Sequence, residues 1–177
     1  MTAVLILTGG KSSRMGRDKA TLNLQGQSLL QWQRGRFERA GFDVVSGLQD
    51  HFTDHRGPLA GIHTACLART EIPDWLVIPV DMPQYSIAAA QHLIEKGQHA
   101  GKPVSYRHNP MPLYLPVSDS LVTQLTDWLK DPNGRRSVYA LIERFDGLWL
   151  DDQGLQQQLT NINTPAQWQS FLDGVSL

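Results

Sequence analysis

Arg14, Asp18 and Lys19 sit in the stretch Leu7-Thr8-Gly9-Gly10-Lys11-Ser12-Ser13-Arg14-Met15-Gly16-Arg17-Asp18-Lys19, directly after the apolar run Val4-Leu5-Ile6. Gly9, Gly10 and Gly16 lack a Cβ, so the chain can turn sharply there and bring its N–H groups to phosphate oxygens. Arg14 offers a planar fork of donors and Lys19 a compact positive charge. A strand that runs into such a loop is suited to holding a polyphosphate. The loop is not a Walker A motif, because no Gly-Lys-Ser/Thr follows a glycine at the required spacing. Nor is it a dinucleotide fingerprint, since Gly-x-Gly-x-x-Gly does not occur. The glycines alone would equally describe a tight structural turn; the added cations and Asp18 favour the phosphate reading.

Asp81 follows the apolar run Leu76-Val77-Ile78-Pro79-Val80. A carboxylate at the end of a buried strand is costly to leave unpaired. It pairs with a cation, caps the Met82-Pro83 turn, or binds a metal. Magnesium takes one or two carboxylates and completes its shell with substrate phosphates and water, so the metal is the preferred reading beside a phosphate loop. Gly57-Pro58-Leu59-Ala60-Gly61 has the chemistry of a helix start, whose N–H groups and dipole favour an anion or an electron-rich ligand edge. Gly57 and Gly61 would let a base or ribose approach closely; the alternative is an ordinary proline-started helix with a packing glycine.

Asn161 and Asn163 would face the same way in an extended segment, and their amides suit a pterin or phosphate ligand as well as a turn. Arg135 and Arg136 either meet an anionic substrate or begin a solvated helix. His51 and His55 have the spacing of a metal pair, but the glutamate of His-Glu-x-x-His is missing, so they read as loop residues. Cys66 reads as a packed, inert thiol.

These residues need a scaffold, and the pattern of the chain supplies one. Strands are predicted over Thr2–Thr8, Phe42–Ser46 and Trp75–Val80, with helices from Ser28 to about Ala40, from Pro58 to Arg69, and from Ser86 to a stop at Gly97. Beyond Gly97, strands are predicted at Pro103–Arg107, Met111–Val117 and Leu148–Leu150, the first two joined by a His108-Asn109-Pro110 turn. Helices are predicted at Asp119–Lys130, Ser137–Phe145 and from Thr164-Pro165 to Leu172. The alternation implies an α/β fold, a mostly parallel mixed sheet covered on both faces to give three α/β/α layers. In such sheets ligands bind beyond the carboxyl ends of the strands, where the glycine loop and Asp81 both fall.

The 177 residues fit one domain. A net charge of -1 argues against a general nucleic-acid partner. A single cysteine excludes an intramolecular disulfide framework, and no stretch approaches a membrane span. The short run Ala3 to Leu7 lacks the features of a signal peptide, and a cytoplasmic location is expected.

Taken together, Leu7–Lys19, Arg56-Gly57-Pro58-Leu59-Ala60-Gly61-Ile62, Val80-Asp81-Met82-Pro83 and Asn161-Ile162-Asn163-Thr164-Pro165 resemble the motifs of the molybdenum cofactor guanylyltransferase (MobA) family, in family order. The resemblance implies a Rossmann-like nucleotidyltransferase domain over residues 1–177 that transfers GMP from GTP to molybdopterin with magnesium and releases pyrophosphate. It places Leu7, Thr8, Gly9 and Gly10 on GTP through the backbone, Arg14 and Lys19 on its phosphates, and magnesium on Asp81. Gly16, Gly57, Pro58 and Gly61 would line the nucleotide, and Asp50 would lie near GTP, where a carboxylate matches the N–H donors of guanine. Asn161 and Asn163 would lie toward molybdopterin. Transient contact with molybdopterin-delivery proteins and molybdoenzymes is also implied. Thr8 stands where alanine is commoner, and Asp18-Lys19 where sugar nucleotidyltransferases usually carry Pro-Lys. Val45–Gly57 is short where family members usually fit a further helix and strand, and no base-contacting asparagine is carried over there. A cytidylyltransferase, a sugar-phosphate nucleotidyltransferase and a non-catalytic nucleotide-binding module are the alternatives.

Overall fold

The structure is a computed structural model that describes residues 1–8, 19–24, 26–49, 52 and 57–174, with Lys19 described by its backbone alone. Strand β1 (Ala3–Leu7) is followed by a 3-10 turn (Lys19–Thr21), the short hairpin β2 (Asn23–Leu24) and β3 (Gln27–Ser28), helix α1 (Leu29–Arg39) and strand β4 (Val44–Ser46). Helix α2 (Pro58–Ala68), strand β5 (Asp74–Pro79) and helix α3 (Ile87–Ala100) come next. The chain closes with β6 (Val104–Tyr106), β7 (Asn109–Pro116), α4 (Asp119–Lys130), α5 (Val138–Arg144), β8 (Leu148–Leu150) and α6 (Pro165–Gly174).

The main sheet has the order β4-β1-β5-β7-β6-β8. The β4–β1, β1–β5 and β6–β8 ladders are parallel, and β7 runs antiparallel to both of its neighbours. This is the mostly parallel mixed sheet expected. Its register assigns the helices to faces. Val4, Leu76 and Tyr114 lie directly opposite one another and so share a face. Gly97 of α3 packs against the Tyr114 ring, placing α3 on that face. Trp75 and Leu115 point the other way, toward Cys66 of α2. Helix α4 joins α2 through His63 and Thr126. Trp75, Leu76, Val77 and Ile78 are all fully buried, as a strand covered on both faces requires.

Local chemistry explains most helix starts. Ser28 accepts from the Gln31 N–H, and the Gln31 side chain accepts from the Ser28 N–H, a complete capping box. Ser86, Ser118 and Ser137 cap α3, α4 and α5 by accepting from the Ala89, Leu121 and Ala140 N–H groups, without the reciprocal bond.

Three expectations need correction. Gly97 does not end its helix: α3 continues to Ala100, and Gly101 takes the left-handed cap at φ 62°. A Cβ on Gly97 would stand 1.9 Å from the Tyr114 ring, so the glycine answers to packing and not to termination. The β6–β7 turn is Arg107-His108, and β7 already includes Asn109 and Pro110. The β2–β3 hairpin and its preceding 3-10 turn were not foreseen, because strands of two residues carry no periodic signal. Among the described residues, no helix is long and apolar enough to cross a membrane.

Candidate active site

Parallel pairing brings the ends of β1 and β5 to one edge. Leu7 lies opposite Pro79, and the Val80 N–H donates to the Leu7 carbonyl at 2.9 Å, extending the ladder one step beyond the strands. Thr8 and Asp81 therefore leave the sheet side by side, each half-buried. The Met82 N–H closes a turn onto the Pro79 carbonyl at 3.2 Å, with Asp81 inside it.

A third segment arrives from far along the chain. The Ile162 N–H donates to the Asp81 carbonyl at 2.8 Å. Ile162 is buried while Asn161 and Asn163 on either side are half-buried, the alternation expected of an extended segment. Asn161 and Asn163 are thereby brought beside Asp81, at the edge that also carries Leu7 and Thr8. The Gln167 side-chain oxygen accepts from the Asn163 and Thr164 N–H groups, and the Thr164 hydroxyl caps α6 by accepting from Gln167. Upstream, Asn109 donates to the Leu159 carbonyl, and the Gln158 amide oxygen accepts from the Ser86 N–H.

Helix α1 contributes two residues that the motif reading missed. Gln33, fully buried, donates to the Val80 carbonyl at 2.8 Å. Arg36 donates to the Pro83 carbonyl at 2.6 Å and to the Tyr85 carbonyl at 3.1 Å. Burial, and secondarily the charge of Arg39, lowers the Arg36 pKa from its ordinary value. The sequence did hold a signal for Gln33: it occupies the stripe Leu29, Gln33, Phe37, where an apolar residue belongs.

Because α2 runs back from β4 to β5, its N-terminus falls at the same edge. Gly57 adopts φ 73°, a backbone that L side chains rarely take, and as the N-cap residue it brings no side-chain cap to the helix. Pro58 begins the first turn, Gly57 and Pro58 are exposed, and Gly61 is half-buried one turn on. A Cβ on Gly57 would stand 3.9 Å from the Arg136 carbonyl. Arg135 is exposed, while Arg136 donates to the Asp131 and Pro132 carbonyls of its own loop.

Other reactive side chains of α2 serve packing. Thr126 donates its hydroxyl hydrogen to the Val122 carbonyl and so accepts from His63 Nε2 at 2.8 Å. Burial pushes the Cys66 thiol up to about 12, keeping it neutral and inert as expected. Gly9, Gly10, Arg14, Gly16, Asp50, His51 and His55 lie outside the described residues. Lys19 opens the 3-10 turn beside α1. Among the described residues, no three His, Cys, Asp or Glu side chains gather into a metal-binding group. A strand-end carboxylate such as Asp81 is of the kind that magnesium takes together with phosphates and water.

The chain that forms this sheet edge matches a known family. A profile described as the MobA-like NTP transferase domain covers residues 4–147. The chain belongs to this family. As a MobA-like NTP transferase it is placed among the nucleotidyltransferase enzymes. A molybdenum cofactor guanylyltransferase of Xanthomonas euvesicatoria is 29% identical over 177 aligned residues, covering 95% of this chain and 93% of that one. The structure of molybdopterin-guanine dinucleotide biosynthesis protein A from Archaeoglobus fulgidus superposes with a TM-score of 0.72 at 22% identity, over 97% of each chain. A 2-C-methyl-D-erythritol 4-phosphate cytidylyltransferase from Thermus thermophilus superposes with a TM-score of 0.67 at 13% identity, over 98% of each chain. At these identities the two structures establish the Rossmann-like fold of this MobA-like transferase and nothing finer. The matched residues include Leu7, Thr8, Gly57 and Asp81 and end before Asn161.

Proposed function

We propose that this MobA-like transferase is a molybdenum cofactor guanylyltransferase, which transfers GMP from GTP to molybdopterin and releases pyrophosphate. One observation carries the reading: the 2.8 Å bond from the Ile162 N–H to the Asp81 carbonyl. It brings the segment that carries Asn161 and Asn163 beside Asp81, which supports a reaction between two substrates at this edge. The name of the Xanthomonas relative, aligned over nearly the whole chain, points the same way.

In this reading the backbone of Leu7, Thr8, Gly9 and Gly10 receives GTP, with Gly16 in the same loop and Arg14 and Lys19 on the phosphates. Gly57, Pro58 and Gly61 let the nucleoside approach α2, and Asp50 accepts from guanine. Asn161 and Asn163 orient molybdopterin. Asp81 holds magnesium, which when bound neutralises phosphate charge and polarises the α-phosphate. The nucleophile is the phosphate monoester of molybdopterin, already largely dianionic at neutral pH because its second pKa is about 6. A bond forms from its oxygen to the α-phosphorus of GTP. The bond from that phosphorus to the β-phosphate bridging oxygen breaks, and the electron pair leaves with pyrophosphate. No general base is required. Alignment and charge stabilisation by Arg14, Lys19 and the loop N–H groups do the work, each partner contributing roughly 100- to 1000-fold. The reaction belongs in the cytoplasm, with molybdopterin-delivery proteins and molybdoenzymes as transient partners.

Nucleotide competition tests the reading. Purified protein with magnesium and molybdopterin is expected to release pyrophosphate from GTP. Release supported by CTP and not GTP would transfer the assignment to a cytidylyltransferase, a reaction class that shares this fold. Binding of GTP with no pyrophosphate release would make the protein a nucleotide-binding module.

A further inference from the structure

Helix α1 grips the exit of β5 from outside. The Val80 carbonyl receives Gln33, the Asp81 carbonyl receives the Ile162 N–H, and the Pro83 and Tyr85 carbonyls receive the two arms of Arg36. Asp81 lies in the middle of this row. Neither α1 side chain is an obvious stabiliser of the seam. The Gln33 Oε1 atom is buried and has no hydrogen-bond partner among the described residues. Arg36 faces no carboxylate among those residues; its guanidinium is spent on carbonyls and on the Trp32 ring, 4.5 Å from the ring centroid. An apolar residue at 33 would remove the unpaired side-chain oxygen but leave the Val80 carbonyl without its donor, so the glutamine is held there by the Val80 main chain.

We propose that Arg36 and Gln33 are positioning residues for Asp81: they hold the main chain before and after it, so that its carboxylate is already placed when the nucleotide and its metal arrive. This inference rests on the reaction proposed above. A planar fork bridges the two carbonyls in a fixed geometry, whereas a lysine ammonium is a point donor on a flexible stem. The same helix also steadies the second substrate side. Trp32, beneath the Arg36 guanidinium, meets Phe171 of α6 edge-on at 5.8 Å, and α6 begins two residues after Asn163. One turn of α1 thus braces both segments that meet at the Ile162–Asp81 bond.

Arg36→Met keeps the stem over Trp32 and removes the fork. Hydrogen exchange without ligand is expected to speed up about tenfold at the Met82 and Ile162 amides, while Val4 to Ile6 stay unchanged. In steady state, kcat is expected to fall about 10- to 100-fold and the magnesium concentration for half-maximal rate to rise several-fold, with KM for molybdopterin near wild type. Arg36→Lys should recover part of kcat, and Gln33→Met should show the same pattern more weakly. A lowered melting temperature with wild-type kcat and magnesium dependence would make these residues structural and overturn the inference, as would unchanged exchange at Met82 and Ile162. Active wild type with unmoved variants defeats this inference alone. Wild type inert toward GTP defeats the proposed reaction and the role built on it.

Discussion

Along β4, β1 and β5, parallel ladders carry Leu7, Thr8 and Asp81 to one edge through main-chain hydrogen bonds, which Gln33 and Arg36 of α1 supplement around Asp81. The β7-β6-β8 half delivers Asn161 and Asn163 by a different route, the long connection from Leu150 to Pro165, pegged by side chains: Asn109 on Leu159, Gln158 on Ser86, and Gln167 on Asn163. A ladder fixes position to within the tolerance of a strand. A pegged loop is placed by single bonds, each worth only about 1 kcal/mol net. The first half is therefore suited to holding reacting phosphates, and the second to selecting and orienting a partner molecule.

The comparison is broken most directly at Asp81. Asp81→Asn is expected to lower GTP turnover about 1000-fold while circular dichroism and melting temperature stay near wild type. Unchanged turnover would remove the parallel half from the chemistry. Asn161→Ala and Asn163→Ala should raise KM for molybdopterin about 5- to 30-fold, the loss of roughly 1–2 kcal/mol of hydrogen bonding, with GTP affinity unmoved. A weakened GTP affinity in these variants would erase the division of labour.

Gly97→Ala tests whether the antiparallel half is scaffold. Its Cβ would collide with the Tyr114 ring, so overpacking of about 1–3 kcal/mol should lower the melting temperature by about 2–12 °C. Turnover at 20 °C should be unchanged, and a fall in kcat would show that α3 transmits strain to the site. The smallest effect concerns acid. Asp152, at the start of the returning connection, has its pKa lowered first by the hydrogen bond to His108. A depressed folded-state pKa contributes stability above the unfolded value, and that contribution disappears as pH falls through it, below about pH 4. The melting temperature of wild type should thus drop more steeply from pH 5 to 3 than that of His108→Ala; parallel profiles would show that the pair does not tie down the connection.

The legible parts of the fold were those written in local chemistry. Serine caps at positions 28 and 86 announced two helices, and the apolar run at Trp75–Val80 announced the central strand. What escaped depended on contacts between distant residues. Gly97 reads as a helix stop until Tyr114 is seen against it, and nothing within Asn161-Ile162-Asn163 says that its amide meets residue 81. Arg36 drew no notice in the sequence because its acceptors are backbone carbonyls, which no side-chain pattern reveals. The place of Asp81 at the end of a buried strand was legible, because it directly follows the apolar run that forms β5.

The central claim is that one edge of the sheet joins GMP to molybdopterin. Purified wild-type protein can be given GTP labelled at the α-phosphate, magnesium and molybdopterin, and the label followed. The account predicts label in a molybdopterin-linked guanine dinucleotide, formed one-for-one with pyrophosphate and lost in Asp81→Asn. Label remaining in GTP, or appearing only as free GMP, would contradict it.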